Sequence, residues 1–240
     1  MEIKLRETPR FSLNKIAEYM TATPRRRRSL IIDQICPPTA KIITYEEARK
    51  ACVRFLCDPE QTGRKLVDLA ATFRDRAALN PDEYHSQCLI ASARALEGFA
   101  PISERVRPKG IVAVAGPRQG ANVFLSGVRI TVSPDVSLLE LGTERRIGAI
   151  KLHFSRSAPL SHESLQYAST LVHECLGRDG DSPIKSRCIS VDVFSQNSDV
   201  APRSVRDRIK NLDAACEEIA ERWPSLFSVV QAQLVAKGKL

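Results

Sequence analysis

Ile147-Gly148-Ala149-Ile150-Lys151-Leu152-His153-Phe154 is an apolar stretch with one lysine set in its middle. Alternation along a strand sends Ile150, Leu152 and Phe154 to one face and Ala149, Lys151 and His153 to the other. Lysine is rarely buried without a partner, so a carboxylate is expected beside Lys151. Upstream, Val128-Arg129-Ile130-Thr131-Val132-Ser133-Pro134-Asp135 alternates in the same way. Ile130 and Val132 take one face; Arg129, Thr131, Ser133 and Asp135 take the other, with Asp135 at a strand end. The two stretches predict neighbouring strands joined by a Lys151–Asp135 ion pair.

Working outward, Ile111 to Val114 predicts a further strand, and Gly116-Pro117-Arg118-Gln119-Gly120 after it reads as a hairpin turn. Tyr84, Cys88, Ala91, Ala95 and Phe99 mark a helix before these strands, with Pro101 just beyond its end. A second helix starts at Ser161, its stripe being Leu165, Ala168, Leu171, Val172 and Cys175. Cys188 to Phe194 is one more strand. Val205, Ile209, Leu212, Cys216, Ile219 and Trp223 describe a long amphipathic helix, a pattern suited to a core helix, a protein partner or a homodimer seam.

Nearer the N-terminus, Ser12 opens a short helix (Leu13, Ile16, Ala17, Met20) that ends before Pro24. Thr44 and Glu47 form a capping box ahead of the stripe Ala48, Ala51, Cys52, Phe55 and Leu56. Leu66, Leu69, Ala70 and Phe73 give a third helix. The expected organisation is a basic helical region over 1–78 and, over 79–240, a core with the amphipathic helix at its C-terminal end. The expected class is α/β (α+β), a mixed central sheet flanked by helices.

The chain of 240 residues carries a formal net charge of +8. Residues 1–78 hold 16 basic and 10 acidic side chains, which is +6 of that surplus. Its densest point, Arg25-Arg26-Arg27-Arg28, is either a solvated helix end or loop, or a segment that binds phosphates or an acidic partner. Aromatic residues are 5% of the chain, which argues against single-strand binding by stacking on aromatic platforms. No apolar run approaches the ~20 residues of a membrane span. With no export signal in the first residues, a cytoplasmic protein without membrane contact is expected. Seven cysteines without a CxxC pair read as reduced thiols, and the four histidines lack zinc-site spacing.

The order helix, strands, helix, strand, with Pro134-Asp135 on one strand and x-x-Lys ending at Lys151 on the next, resembles the PD-(D/E)XK nuclease superfamily. Gln166-Tyr167 on the following helix is similar to the Gln-containing helix of its RecB-like branch. The resemblance covers roughly residues 82–196 and implies a restriction-endonuclease-like fold acting on DNA with Mg2+ or Mn2+. It implies that Asp135 binds the metal, that Lys151 positions the attacking water and that Gln166 orients the lysine strand. Glu83 and His85 would be further metal ligands on the first core helix. Such residues suit a hard cation and a phosphodiester transition state.

One position departs from the pattern. Two residues before the lysine, where the family has Asp or Glu, stands Ala149. Glu140, Glu144 or Asp192 are the candidate substitutes. Without one, the chain is a catalytically degenerate nuclease-fold protein that binds DNA, through Arg25–Arg28 above all, or another protein. A helix-turn-helix within 12–56 fits less well, because Pro24, Pro37 and Pro38 separate its helices. No phosphate-binding glycine loop or Gly-x-Ser-x-Gly elbow is present.

Overall fold

A computed structural model describes residues 5–37 and 44–237. In chain order these form β1 (Arg10–Ser12), α1 (Leu13–Thr21), α2 (Pro24–Ile35), α3 (Glu46–Cys57), α4 (Gly63–Ala78), α5 (Glu83–Val106), β2 (Val112–Ala115) and β3 (Ala121–Leu125). There follow β4 (Val128–Val132), β5 (Val136–Leu139), β6 (Arg146–His153), α6 (His162–Arg178), β7 (Cys188–Asp192), β8 (Asn197–Val200) and α7 (Val205–Ala236). The protein is mixed α/β. The described strands make two mixed sheets where one was expected: five strands in the order β2-β5-β6-β7-β8, and three in the order β1-β4-β3. Among the described residues no helix is long and apolar enough to cross a membrane.

The lysine-bearing stretch is β6, at the centre of the larger sheet, antiparallel to β5 and parallel to β7. A parallel pair needs a crossover, and α6 supplies it. Helices cover both faces, so β6 is apolar on both, which explains its near-continuous hydrophobic run. Ile150 and Leu152 join Val136, Leu138 and Val191 against Ala48, Phe55, Phe73, Leu96 and Phe99 of α3, α4 and α5. Ala149 and Cys188 belong to the other cluster, with Ala168, Leu171 and Val172 of α6. Full burial of each large side chain stabilises the fold by ~1.5–3 kcal/mol.

Asp135 does not close the strand that begins at Val128. β4 stops at Val132 and pairs in the smaller sheet, while Asp135 introduces β5 in the larger one. Pro134 sits at the crossing, where a residue without an N–H interrupts no ladder bond. β5, Val136-Ser137-Leu138-Leu139, is too short to show a period in sequence, yet it is the antiparallel neighbour of the lysine strand.

Gly116 to Gly120 is likewise not a hairpin turn, because β2 lies in one sheet and β3 in the other. This loop crosses between sheets against Pro134-Asp135. The Gly116 N–H donates to the Asp135 carbonyl at 2.8 Å, and a Cβ at Gly116 would overlap the Pro134 carbonyl oxygen. The hairpin is made by Ser126-Gly127, at φ 39° and 78°, between β3 and β4.

The first helix ends before Pro24 as expected, but a helix that was not expected follows it, and the bounds of two others differ. Pro24 opens α2 at its first helical position under a Thr23 cap, so Arg25–Arg28 lie inside a helix. α5 continues through Pro101 to Val106. α3 starts at Glu46 without a capping box, because the Thr44 hydroxyl turns to the Cys88 sulfur at 3.7 Å. The α7 stripe faces inward: Leu212, Cys216, Ile219 and Trp223 are buried in one core with α1, α2 and α6.

Candidate functional site

The N-terminal end of β5 and the C-terminal half of β6 place Asp135 and Lys151 side by side. Val136 pairs with Ile150 in antiparallel register, so the residue before the one, Asp135, and the residue after the other, Lys151, fall in one row. Lys151 Nζ stands 3.1 Å from Asp135 Oδ2 and donates to the Ser133 carbonyl at 2.7 Å. Asp135 Oδ2 also accepts the Leu152 N–H at 2.7 Å, extending the ladder past the end of β5. Both side chains are nearly enclosed, 11% exposed for Lys151 and 6% for Asp135. Burial pushes the Lys151 pKa down, against the opposing pull of Asp135.

A third group meets this pair. Arg49 of α3 donates through Nη1 to Asp135 Oδ1, so two cations and a backbone N–H hold one carboxylate. The Arg49 guanidinium also lies 5.0 Å over the ring of Phe154, just past β6. Phe154 stacks on Tyr45 with centroids 5.9 Å apart. These residues line an open cleft of about 800 Å³ together with Thr44, Glu46, Ser155, Arg156 and Ser157. Arg156 and Arg94 act electrostatically on Tyr45, whose pKa burial nonetheless raises. Arg49 thus separates the cleft from Asp135 and Lys151, which do not line it.

Ala149 is fully buried, opposite Ser137 on one side and Cys188 on the other. Glu140 and Glu144 are exposed in the β5–β6 turn, at the far end of β5 from Asp135, roughly 16 Å or more away along the strand. Asp192 lies on the Lys151 face but is fully buried and committed elsewhere. It accepts the Leu160, Phe194 and Ser195 N–H groups at 2.7, 3.1 and 2.8 Å and stands 3.8 Å from His153 Nε2. No candidate substitute therefore joins Asp135.

Glu83 and His85 are exposed in the first turn of α5. Glu83 accepts from Gln87, and His85 lines a side cavity of about 310 Å³ that shares Thr44 and Glu46 with the cleft. Neither is a partner of Asp135. Gln166 of α6 donates to Asp199 at 3.4 Å and accepts from Arg208, tying α6 to β8 and α7 away from Lys151. Among the described residues no three His, Cys, Asp or Glu side chains group closely enough to hold a metal ion. A divalent cation prefers six or more oxygen ligands, and the one carboxylate here already faces Arg49 and Lys151. The residues present do not fit Mg2+ or Mn2+.

The four arginines divide in two. Arg26 binds Glu18 through Nε and Nη2 at 2.8 and 2.7 Å. Arg27 donates to the Tyr19 and Met20 carbonyls, which end α1, and stands 3.3 Å from Glu218 of α7. Arg25 and Arg28 are exposed.

Sequence reading missed Arg49, Arg156 and the Tyr45–Phe154 stack. Arg49 occupies the polar face of an amphipathic helix, where charge is expected anyway. The one available signal was Phe154-Ser155-Arg156 directly after the lysine strand. No protein-family model matches the chain, and no curated protein matches it.

Proposed function

We propose that the chain is a nucleic-acid-binding protein built on a nuclease-like core whose hydrolytic site has become a structural ion cluster. The observation that carries this reading is the Asp135 carboxylate, held by Arg49 and Lys151 in the row where the PD-(D/E)XK pattern puts a metal. Arg49 supplies the positive charge that a cation would bring, and Ala149 withholds the second carboxylate. The order α5, β2, β5, β6, α6, β7, with Pro134-Asp135 and Lys151 on adjacent strands, supports the resemblance to that superfamily. The cleft then offers Arg49 and Arg156 to a phosphate backbone, with Arg25 and Arg28 adding charge from α2.

Fluorescence anisotropy with labelled DNA, titrated against salt, tests the reading. Binding should fall steeply with salt and weaken in Arg49→Ala and Arg156→Ala, with no cleavage when Mg2+ or Mn2+ is added. Affinity unchanged in both variants would overturn it.

A second reading, a metal-dependent phosphodiesterase, keeps the Asp135–Lys151 contact across adjacent strands but requires Arg49 to leave Asp135 and further ligands to join it. That reading predicts Mg2+- or Mn2+-dependent cleavage of DNA that is lost in folded Asp135→Asn and Lys151→Met proteins.

A further inference from the structure

The smaller sheet carries a second concentration of positive charge that neither reading uses. Arg10 of β1 and Arg129 of β4 are directly paired in the parallel register, on the face opposite the buried Phe11 and Ile130. Paired residues on adjacent strands lie ~4.8 Å apart at the backbone, and like charges placed so repel. Arg6 joins them around one open cavity of about 620 Å³, lined also by Leu5, Glu7, Thr8 and Pro37. Its backbone N–H is fixed to the Ile35 carbonyl at 2.9 Å, and its Nη1 donates to Gln34 at 3.2 Å. Burial, then Arg10 and Arg129, push the Arg6 pKa down.

Among the described residues none of these three arginines has a carboxylate within ion-pair distance, Glu7 on the cavity rim included. A guanidinium does not shed its proton near neutral pH, so deprotonation cannot relieve the crowding. An anion can. The low aromatic content argues against stacking platforms, yet one ring is placed for stacking: on the adjacent strand Phe124 pairs with Arg129 and is 62% exposed, on the same solvent face as the arginines.

We infer that Arg6, Arg10 and Arg129 form a phosphate-binding site for a single-stranded nucleic acid, with the neighbouring base stacked on Phe124. Guanidinium forks match phosphate oxygens in pairs, and Thr8 borders the same cavity. The ring beside the phosphate site selects a strand over a free phosphate, because every base has a face to stack. This site stands on the other sheet from Asp135 and does not depend on the cleft reading.

The test uses the full chain with a labelled oligo-dT and, separately, inorganic pyrophosphate. Arg10→Gln, Arg129→Gln and Phe124→Ser alter solvent-facing side chains, and circular dichroism checks that each folds. Oligonucleotide affinity should fall about tenfold in Phe124→Ser, the scale of one stacked base. It should fall at least as far in the arginine variants, and pyrophosphate should raise the thermal midpoint of the wild type but not of Arg129→Gln. Unchanged oligonucleotide affinity in Arg129→Gln overturns the site. Stabilisation by pyrophosphate with unchanged oligonucleotide affinity in Phe124→Ser also overturns it, the ligand then being a free phosphate. Because Arg49 and Arg156 stay intact throughout, loss here is separable from loss at the cleft.

Discussion

Ala149 stands directly opposite Cys188 across the parallel β6–β7 pair, both side chains fully buried beneath α6. The place where a nuclease of this pattern would carry its second acid is therefore an apolar core position. Ala149→Glu should not restore metal binding. A carboxylate there has no partner and should cost at least ~3 kcal/mol, read as a large fall in the urea midpoint without gain of Mg2+-dependent activity.

The Asp135 cluster predicts an unequal response of its members. Asp135→Ala leaves Lys151 and Arg49 facing each other without a counter-charge and should destabilise by about 3–5 kcal/mol. Lys151→Met removes charge and desolvation cost together while Arg49 still holds Asp135, so its loss should be clearly smaller. Chemical denaturation of the two variants and the double variant measures the coupling, and equal losses would contradict this account.

Gly116→Ala should destabilise by ~1–3 kcal/mol, since the added methyl overlaps the Pro134 carbonyl and the loop must move from Asp135. Thermal unfolding checks the size. If Asp135 moves with the loop, the DNA binding proposed for the cleft should weaken as well.

His153 sets a pH dependence. Its Nε2 lies 2.9 Å from the Ala158 carbonyl, and burial lowers its pKa from 6.5, against the Ala158 hydrogen bond and Asp192, which raise it. The folded state therefore binds the proton less readily than the unfolded chain. Its contribution is fully present above about pH 6.5 and is lost as pH falls through the depressed folded value, by up to ~1.4 kcal/mol per pH unit. Urea midpoints at pH 7.5 and 5.5 should differ more for the wild type than for His153→Gln.

The arginine run should split by function. Arg26→Ala and Arg27→Ala each break charge-assisted bonds to α1 and should cost about 1–3 kcal/mol. Arg25→Ala with Arg28→Ala should leave stability within ~0.5 kcal/mol. If both touch phosphates, the double variant should also reduce the salt slope of DNA binding by roughly 2, about 0.9 per contact. A salt titration of the two pairs of variants distinguishes them.

What was legible in sequence was local or demanded by burial. A lysine among apolar strand residues asks for an acid, and Asp135 answers it. The α6 stripe and its Ser161 cap announce a helix, and the structure has the Ser161 hydroxyl accepting the Ser164 N–H at 3.2 Å. What was not legible depends on distant chain meeting at a surface. Arg49 reaches Asp135 across 86 residues from a face where any charge is tolerated. β5 and β8, at four residues each, carry too few side chains to display a period. The second sheet was hidden for a similar reason, because β1 is three residues long and finds its partner more than a hundred positions away.

That pairing also orders events in time. Arg10–Ser12 can join β4 only after residue 131 is available, and the core over α2 is closed by α7, which packs on α2, β3 and β4. On a ribosome the earliest-made helices must therefore wait for the latest one, with Leu30, Ile31 and Ile35 uncovered meanwhile. Long-range closure of this kind slows folding and prolongs the exposure of apolar surface. The larger sheet, whose strands and helices all lie within residues 46–200, is free to form first and to serve as the platform on which the two ends of the chain meet.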